Sequence, residues 1–561
     1  MSNDIIKSED HASKIHQKYD PQHISDRTFF IDASNQNLAT IPLEILELKE
    51  LEEVHLENNQ IKEIPQDIQY LKNVRILYLN KNKLSELCPT LGRLSNLEGL
   101  DLSDNLLLPS SIPILSNLRQ LRELRLYGTN LGQIPTEICK HLHHLELLGL
   151  SRNHLKSLPV EIVNQTKLKE VYLQQNQIEA FPPELCALSN LEIIDLDENK
   201  LTVIPEEIGN LTRLQKFYVA HNSLYFLPDS LCKCSKLSVL NVSHNHIHCI
   251  PHTLEELAEM TDIGLSGNPL GKVPHLLCKW TSLQLLYLCN TGLRVLRRSV
   301  RRLVSLRFLD LSQNHLDSLP SQICALKNLE ILALDDNKLC QLPSDFGSLS
   351  KLKMLGLTGN QFPSFPEKIF SLEFLEKLYI GQDQGAKLTF VPDHISKLQN
   401  LKELHIENNH LEYLPAALGS MPNLKILDCR HNLLKQLPDN ICQAQALQEL
   451  LLEDNLLTEL PENIECLVNL KVLTLMDNPM EEPPIEVCTE GIEAIVTYLK
   501  EKINMRIMTT KIQAWWRGMM VRKGLGKFDA LLELGKKKKI SSKDKKRKKA
   551  VKEKPVKGKK K

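Results

Sequence analysis

Apolar residues return along most of this chain with a short alternation nested inside a longer period of about 23 residues. Within each period, a stretch such as Ile194-Asp195-Leu196 alternates apolar and polar side chains, which predicts a short β-strand. Its apolar side chains should point into a core and the intervening one outward, because successive strand side chains face opposite ways. A later apolar pair, such as Ile68 and Leu71, predicts a helical or 3-10 turn on the return path.

An asparagine marks the same position in most periods. This position is occupied by Asn59, Asn82, Asn105, Asn153, Asn176, Asn199, Asn222, Asn245, Asn268, Asn314, Asn337, Asn360, Asn409, Asn432, Asn455 and Asn478, and elsewhere by Gln36, Thr129, Thr291 and Asp383. An amide both donates and accepts hydrogen bonds, so we expect it to satisfy buried backbone groups of adjacent repeats, with Thr, Gln and Asp doing part of this work. Proline commonly follows six residues later, as at Pro205, and fixes φ where the chain turns.

The full pattern, L-x-x-L-x-L-x-x-N-x-L-x-x-L-P, is clearest at residues 145–159 and 329–343. It resembles the leucine-rich repeat of the intracellular L-P type over roughly four-fifths of the chain. The resemblance implies an α/β leucine-rich-repeat solenoid of about 20 repeats, with a curved parallel sheet on the concave side and short helices or 3-10 turns on the convex side. We expect this solenoid at residues 25–485, after a polar N-terminal segment at 1–24, because repeats need stacked neighbours to form one core.

Three departures from the period stand out. The steps into and out of Thr129 are 24 residues, which predicts a one-residue extension on the outer side. The step from Asp383 to Asn409 is 26 residues, which predicts a small loop. One repeat replaces its proline with Arg297 and also carries Arg294, Arg298, Arg301 and Arg302. These arginines form either a basic patch that docks an acidic partner or an ordinary solvated convex face.

The outward strand positions are candidates for a partner-binding surface, because solenoids of this kind bind partners on their inner face. Tyrosine is favoured at binding surfaces for its large contact area at low entropic cost. The alternative is that these residues are repeat-consensus fillers of a solvated sheet. The candidates are Tyr78, Tyr172, Asp195, Asp197, Tyr218, Tyr287, Asp310, Asp335, Tyr379 and Glu453.

The formal net charge of zero hides a strong asymmetry. Residues 536–561 hold sixteen basic residues against Asp544 and Glu553, a net of +14, whereas residues 1–505 carry a net of −18. We expect residues 531–561 to be disordered, since they cannot bury a core. Their lysines are compatible with a solubilising tail, a contact with an anionic surface such as a tubulin tail, or a nuclear import signal. No aromatic residues are interleaved, so binding of specific nucleic-acid sequences is not predicted.

The fourteen cysteines do not predict disulfides. Seven of them fall ten residues after the asparagine position, which predicts small core residues with free thiols: Cys139, Cys186, Cys232, Cys278, Cys324, Cys442 and Cys488. The polar N-terminus and the lack of an apolar run of membrane-spanning length indicate a cytoplasmic protein without a membrane span. A nuclear or ciliary/cytoskeletal pool is also compatible with the sequence.

After the repeats, residues 486–504 read as an amphipathic capping helix, and this helix could continue into a motif at 505–530. Met505, Met508, Ile512, Trp515, Trp516 and Met519 share one helical stripe. Calmodulin offers acidic, methionine-lined grooves to such basic amphipathic helices. The alternatives are that the tryptophans pack back on the cap or that the helix lies on a membrane surface.

Residues 512–525 match I-Q-x-x-x-R-G-x-x-x-R-x-x-hydrophobic at each defined position and therefore resemble a complete IQ motif. With the repeats, this makes the chain similar to the leucine-rich repeat and IQ domain-containing proteins. The resemblance implies binding of calmodulin or a related EF-hand protein, even without calcium, with Gln513 bonding backbone of one lobe and Gly518 admitting the other. The predicted contacts are Ile512, Gln513, Trp516, Arg517, Gly518, Met519, Arg522 and Leu525.

No catalytic or metal-binding signature is present in the sequence, so we predict a non-enzymatic protein without a cofactor. The leading hypothesis is a scaffold in intracellular signalling. Its solenoid would hold a small GTPase, a phosphatase or a cytoskeletal protein, and its IQ motif would hold calmodulin. The alternative is a structural component of the axoneme or basal body whose basic tail contacts microtubules.

Overall fold

The computed structural model describes residues 29–382 and 384–523, which divide into a unit ending at His410 and a unit beginning at Leu411. The described part of the first unit contains seventeen strands of three residues: β1 Phe30–Asp32, β2 Glu53–His55, β3 Ile76–Tyr78, β4 Gly99–Asp101, β5 Glu123–Arg125, β6 Leu147–Gly149, β7 Glu170–Tyr172, β8 Ile193–Asp195, β9 Lys216–Tyr218, β10 Val239–Asn241, β11 Asp262–Gly264, β12 Leu285–Tyr287, β13 Phe308–Asp310, β14 Ile331–Ala333, β15 Met354–Gly356, β16 Lys377–Tyr379 and β17 Glu403–His405. The second unit contains β18 Ile426–Asp428, β19 Glu449–Leu451 and β20 Val472–Thr474.

Within each unit, successive strands pair in parallel and in register, as where Ile194 of β8 lies opposite Phe217 of β9. The middle residue of each strand points into the core, and the apolar residue two positions later does the same. Ile194 and Leu196 are fully buried, as the alternation predicts. The intervening Asp195 is half-buried on the other side of the sheet. Each repeat therefore adds a layer of aliphatic side chains to a core that continues through its neighbours.

The asparagine position links each repeat to the one before it. In Asn199, Nδ2 donates to the carbonyl oxygens of Leu173 and Leu196 at 2.9 and 3.1 Å, and Oδ1 accepts from the backbone N–H of Ile178 at 3.1 Å. The prediction of a two-way amide is thus confirmed. Thr129 substitutes in part, since its Oγ1 donates to the carbonyl of Leu126 at 2.9 Å.

Thr291 acts in the same way toward the carbonyl of Leu288, at 2.8 Å. Gln36 does not reproduce the pattern, because its half-buried side chain has no bond of this kind and its backbone N–H donates to Asn59 Oδ1 instead. Asp383, the fourth substitute, lies outside the described residues. Asn409, after the 26-residue step, still reaches back to the carbonyl of Ile380 at 3.2 Å.

The return path of most repeats is a 3-10 turn that begins after a proline with φ near −70°, such as Pro205 at −74°. The 3-10 turns of the first unit are Gln66–Tyr70, Pro89–Arg93, Pro109–Asn117, Val160–Asn164, Pro183–Ala187, Glu206–Asn210, Asp229–Lys233, His252–Glu256, His275–Lys279, Arg298–Arg302, Ser321–Ala325, Phe346–Ser348, Glu367–Ser371 and Asp393–Lys397. Those of the second unit are Ala416–Ser420, Asp439–Gln443 and Ile464–Cys466. Two repeats of the first unit carry short α-helices instead, α1 Leu43–Glu47 and α2 Thr136–His141.

Both one-residue extensions lie on this return path, as predicted. The first accompanies the nine-residue 3-10 turn Pro109–Asn117, and the second accompanies α2, which has six residues where the following turn, Val160–Asn164, has five. The strands β4, β5 and β6 on either side keep their parallel register. The insertions therefore leave the sheet unchanged.

None of the fourteen cysteines, all of which lie among the described residues, forms a disulfide. Of the seven at the shared repeat position, five are buried as predicted: Cys139, Cys186, Cys278, Cys324 and Cys442. Cys232 and Cys488 are only partly buried, so the prediction is too strong for these two. Burial raises the pKa of the Cys139 and Cys186 thiols to about 12, which keeps them protonated at neutral pH.

The second unit ends in two helices, α3 Ile485–Thr489 and α4 Ile492–Lys523. Ile495 and Leu499, one turn apart on α4, are buried, while Lys500 pairs with Glu465 at 3.3 Å. The amphipathic helix predicted after the repeats is therefore present and covers the end of the core of this unit. It continues without a break into the IQ motif as far as Lys523. No helix among the described residues is long and apolar enough to cross a membrane.

Candidate protein-binding surfaces

We call the exposed side of the sheet the strand face. It consists of the first and third residues of each strand and the residue two positions beyond. The predicted residues Tyr78, Tyr172, Asp195, Tyr218, Tyr287, Asp310 and Tyr379 occupy the third strand position, and Asp197, Asp335 and Glu453 lie two positions beyond it; all are half-buried. The prediction that they face away from the core is correct. Their neighbours differ from place to place, however, so the strand face is not uniform.

Several of the tyrosines are held by close neighbours. The hydroxyl of Tyr172 donates to Glu170 at 2.8 Å, and its ring meets the edge of Tyr127. The ring of Tyr379 stacks on His405 with centroids 4.5 Å apart. These contacts keep large aromatic surfaces in fixed positions, which lowers the entropy lost when a partner binds.

Charged residues occupy the position just before many of the strands, a pattern that was not predicted from the sequence. In the first unit the sign alternates from repeat to repeat through Glu52, Arg75, Glu98, Arg122, Glu146, Lys169 and Glu192, and again through Arg307, Glu330, Lys353, Glu376 and Lys402. These residues occupy equivalent positions next to adjacent parallel strands. Opposite charges are therefore brought together as cross-strand neighbours. We call these two series the first and second charge ladders.

Within each ladder, short ion pairs link residues of neighbouring repeats. Glu146 accepts from Arg122 Nε and from Lys169 Nζ, both at 2.7 Å. The bond from Lys169 lowers the pKa of Glu146 most, and the bond from Arg122 lowers it further. Glu330 likewise lies 2.7 Å from both Arg307 and Lys353. Opposite charges within each ladder thus compensate one another to within one unit charge.

Between the two ladders the same position is uncharged: Gln215, Ser238, Thr261 and Gln284. Here the strand face contains a cavity of about 860 Å³ between Tyr218 and Tyr287. We call it the Tyr218–Tyr287 cavity. Its lining includes Gly264, where a Cβ would stand 2.2 Å from Asn241 Oδ1, so the Asn241 side chain lies against this glycine and a larger residue would not fit.

Carboxylates surround this cavity. Burial, followed by the negative charge of Asp195, raises the pKa of Asp197 to about 7, although the N–H of Ala220 donates to it at 2.5 Å. Burial also raises the pKa of Asp195 and of Asp262. Within the described residues, Asp195, Asp197 and Asp262 form no ion pair. They contrast in this with the glutamates of the charge ladders.

The predicted arginine group lies on the return path of one repeat, and its five members are all exposed. Arg297 has φ −75° and ψ 149°, so it takes the backbone geometry of the missing proline. The segment that follows, Arg298–Arg302, is a 3-10 turn and not an α-helix. Its three-residue period places Arg298 and Arg301 on one side.

The described part of the IQ segment lies in the second half of α4, where residues 512–517 and 522–523 are exposed and residues 518–521 are half-buried. Met508, Ile512, Trp515 and Trp516 each keep more than half of their surface in contact with solvent. The alternative in which the tryptophans pack back on the cap is therefore wrong for this structure. Among the other predicted contacts, Gln513, Arg517 and Arg522 are exposed, Gly518 and Met519 are half-buried, and Leu525 lies outside the described residues.

Comparisons with known proteins agree with both the repeat solenoid and the IQ motif. Leucine-rich repeat family models match residues 49–107, 119–178, 166–224, 212–270, 268–411 and 399–442, and the IQ calmodulin-binding motif matches 509–525. The human protein "Leucine-rich repeat and IQ domain-containing protein 4" is 77% identical over 97% of this chain and 97% of its own length. The chain belongs to the family of leucine-rich repeat and IQ domain-containing protein 4.

The mouse protein of the same name is 76% identical over all of this chain and 94% of its own length. Among solved structures, the plant peptide hormone receptor RGFR1 in complex with RGF2 is 28% identical, covering 78% of this chain and 80% of that one, with a TM-score of 0.57. These similarities confirm the solenoid fold of the repeats and the family that the sequence resembles.

Proposed function

We propose that this member of the leucine-rich repeat and IQ domain-containing protein 4 family is a non-enzymatic scaffold in intracellular signalling. Its strand face would hold a protein partner, and α4 would bind calmodulin or a calmodulin-like EF-hand protein. The observation that carries the proposal is the exposed apolar stripe of α4 beyond the cap.

The two halves of α4 have different surroundings. The first half is held by buried Ile495 and Leu499 and by ion pairs of Lys500 with Glu465 and of Arg506 with Glu462. After Arg506 no described residue of α4 is buried, and the stripe that contains Ile512 and Trp515 faces solvent. A soluble protein rarely exposes so many adjacent large apolar side chains without a partner.

The chemistry of the second half fits a calmodulin lobe. The side chains of Met508, Ile512 and Trp516 offer apolar anchors, and Arg517 and Arg522 offer positive charge to an acidic groove. Arg522 Nε donates to the carbonyl of Gly518 at 3.0 Å, which places the second arginine beside the glycine of the motif. The proposed calmodulin contacts are Ile512, Gln513, Trp516, Arg517, Gly518, Met519, Arg522 and Leu525.

A protein partner on the strand face is supported by three features. Half-buried tyrosines and carboxylates share one side of the sheet, the ion pairs of the charge ladders hold their neighbours in place, and the similar plant receptor is described in complex with a peptide hormone. The repeats use most leucines, the asparagines and the buried cysteines for packing, so few residues remain for catalysis. The absence of an enzymatic role is part of the proposal.

The test of the calmodulin arm is isothermal titration of the full chain with calmodulin, with calcium and with chelator. The variant Ile512→Ala/Gln513→Ala/Arg517→Ala should weaken binding at least tenfold. The matched control, Thr497→Ala/Glu501→Ala/Asn504→Ala, changes three exposed residues of the same helix before the motif and should leave binding unchanged. Undiminished binding by the first variant would refute this arm of the proposal.

Tryptophan fluorescence gives a second readout of the same event. Trp515 and Trp516 are exposed, whereas Trp280, the third tryptophan, is 2% exposed and supplies a constant background. Calmodulin should shift the emission of the native chain to shorter wavelength, because the indoles leave water. A Trp515→Phe/Trp516→Phe variant should lose this shift.

The structural alternative, an axonemal or basal-body component that contacts microtubules, depends on residues 531–561, which lie outside the described residues. It stays a prediction, as do the cytoplasmic location and a nuclear or ciliary pool. Sedimentation with microtubules separates the two functions. A full-length variant whose tail lysines are replaced by glutamine would lose binding if the tail is the contact.

A further inference from the structure

One repeat of the first unit concentrates positive charge on its return path. Five arginines fall within nine residues, with no acidic residue among them: Arg294, Arg297, Arg298, Arg301 and Arg302. All five are exposed, and we call them the arginine patch. Residues 1–505 carry a net charge of −18, so the patch is a basic surface on a chain that is otherwise acidic.

The charge of the arginine patch is not compensated by the surrounding repeats. None of its five arginines has an ion-pair partner within the described residues. Other arginines of the same unit do have one: Arg307 lies 2.7 Å from Glu330, and Arg122 pairs with Glu146. The guanidinium groups of the patch are therefore available to acidic groups of another molecule.

Arginine is not the residue that the fold prefers at these positions. Arg297 has the backbone geometry of proline, with φ −75° and ψ 149°, and a proline here would stabilise the repeat by restricting the unfolded chain. Arg298, Arg301 and Arg302 place like charges three and four residues apart, which is unfavourable. Residues that oppose the local stability of an element are expected where they serve a function.

An open groove of about 520 Å³ adjoins the arginine patch. Arg297 and Arg298 line it together with residues of the same and the following repeat: Val295, Leu296, Ser318, Leu319 and Pro320. Val295 is 68% exposed, whereas Leu296 and Leu319 are buried. Since most of these residues are apolar, the groove offers a place for an apolar side chain next to two guanidinium groups.

The spacing of the arginines fits an extended peptide. Side chains three residues apart in a 3-10 turn lie on the same side, so Arg298 and Arg301 are separated by about 6 Å along the turn. Side chains two residues apart in an extended chain also lie on one side, at roughly 7 Å. Two carboxylates at alternate positions of such a chain can therefore each meet one guanidinium, whose planar donors match a carboxylate.

We propose that the arginine patch and its groove bind an acidic segment of a protein, with an apolar side chain in the groove and carboxylates paired with Arg298 and Arg301. A peptide fits better than a single-stranded nucleic acid, because no aromatic side chain lines the groove to stack on a base. It also fits better than a membrane surface, because the groove accommodates one side chain. The return path is separate from the strand face and from α4, so this inference goes beyond the proposed function.

The test is fluorescence anisotropy of a fluorescein-labelled peptide, Leu-Glu-Ser-Glu-Ser-Glu, with the full-length chain. The fifteen lysines at residues 536–561 also attract acidic peptides, so a full-length variant with these lysines replaced by glutamine is measured beside the native chain. We expect both proteins to bind this peptide and neither to bind the uncharged control, Leu-Gln-Ser-Gln-Ser-Gln. Absence of binding by the lysine-replaced variant, or equal binding of the control peptide, would overturn the inference.

The site is located with Arg298→Gln/Arg301→Gln, made in the lysine-replaced variant. This change should weaken binding of the acidic peptide at least tenfold. The matched control, Arg93→Gln/Arg119→Gln, removes the same charge at exposed arginines on the return path of other repeats and should have no effect. An equal loss in both would show a general electrostatic attraction and contradict the inference. Replacement of the peptide's leucine by serine should also weaken binding, and unchanged affinity would show that the groove is not used.

Arg297→Pro separates binding from folding. It should raise the melting temperature, because proline suits this backbone, and it should weaken binding of the acidic peptide because one charge is lost. A lower melting temperature would show that Arg297 serves the fold, against the inference.

Two other classes of partner are tested with a ten-nucleotide poly(U) strand and with phosphatidylserine vesicles. Tighter binding of either, lost in Arg298→Gln/Arg301→Gln, would assign the arginine patch to a nucleic acid or a membrane and overturn the inference. Calmodulin binding by α4 is measured separately, so failure of this inference leaves the proposed function in place.

Discussion

Asn337 joins its repeat to the one before it, because its Nδ2 atom donates to the carbonyl oxygen of Leu311 at 2.9 Å. The same atom donates to Leu334, and Oδ1 accepts from the N–H of Leu316 at 3.0 Å. A side chain that is 4% exposed thus satisfies three buried backbone groups in two repeats. The same three bonds, two donated by Nδ2 and one accepted by Oδ1, are found at other asparagine positions, such as Asn199.

Replacement of this amide should therefore destabilise the fold strongly. Asn337→Ala leaves the buried N–H of Leu316 without its acceptor, at a cost of about 1–3 kcal/mol, whereas the carbonyl oxygens of Leu311 and Leu334 keep their bonds from Asn314 and Asn360. We expect a lower melting temperature and faster hydrogen exchange at the Leu316 amide. Asn210→Ala, a change of the same type at an exposed position, should stay near the native value. Equal melting temperatures for both variants would contradict the structural role of the amide.

The charge ladders should give a stability that depends on salt and pH. Hydrogen bonds from Lys353 and then Arg307 lower the pKa of Glu330 below its ordinary value. A carboxylate with a depressed folded-state pKa adds stability above its unfolded pKa and loses it as pH falls through the folded value. Glu330→Gln should therefore lower the melting temperature slightly at pH 7 in low salt, and the difference should shrink at about 1 M salt.

The matched control for this prediction is Glu63→Gln, at an exposed position outside the ladders. It should show no comparable salt dependence. If both variants melted like the native chain at each salt concentration, the ion pairs of the ladder would not stabilise the fold, and the prediction would be wrong.

The repeat period explains why so much of the fold could be predicted. Buried Ile194 and Leu196, the amide bonds of Asn199 and the turn at Pro205 all follow from residue types at fixed spacing. The alternation of Arg307, Glu330 and Lys353 was also visible in the sequence, but these residues lie two positions before the L-x-L segment. It is recognised only when the repeats are aligned on the strand ends.

The cavity could not be predicted in the same way. Its volume depends on short lining residues such as Ala220 and Ser266 and on the positions of Tyr218 and Tyr287, which lie three strands apart. No spacing rule relates these residues to one another. The exposure of Trp515 was likewise undecidable from sequence, because the same stripe could pack on a cap or remain free. The burial of Ile495 and Leu499, against the exposure of Trp515 and Trp516, shows that the cap ends before the tryptophans.

Asp197 should make the protein less stable at alkaline pH. Burial and Asp195 raise its folded-state pKa to about 7, far above that of an unfolded Asp. A raised carboxyl pKa adds stability below the unfolded value, and this stability is lost as pH rises through about 7. Asp197→Asn should therefore be more stable than the native chain at pH 8, by roughly 1–4 kcal/mol, and similar to it near pH 4.

Thermal melting across this pH range tests the sign, with Asp67→Asn as the exposed control. The other charged and titratable residues of the same lining are Glu198, Lys216, His221, His244 and Asp262. Of these, Glu198 also raises the pKa of Asp197. A native chain that is more stable than Asp197→Asn at pH 8 would contradict the prediction.

The cap should depend on the apolar contacts of α4 and not on its exposed half. Leu499 is 6% exposed, and Leu499→Ala removes buried volume at a cost of about 2–5 kcal/mol. Ile507, further along the same helix, is 46% exposed, and Ile507→Ala should have little effect on stability. Hydrogen exchange of the backbone amides in β20 is the measurement, because this strand is the last of the sheet in its unit. Faster exchange in Leu499→Ala alone is the expected result, and equal exchange in the two variants would show that α4 does not protect the end of the core.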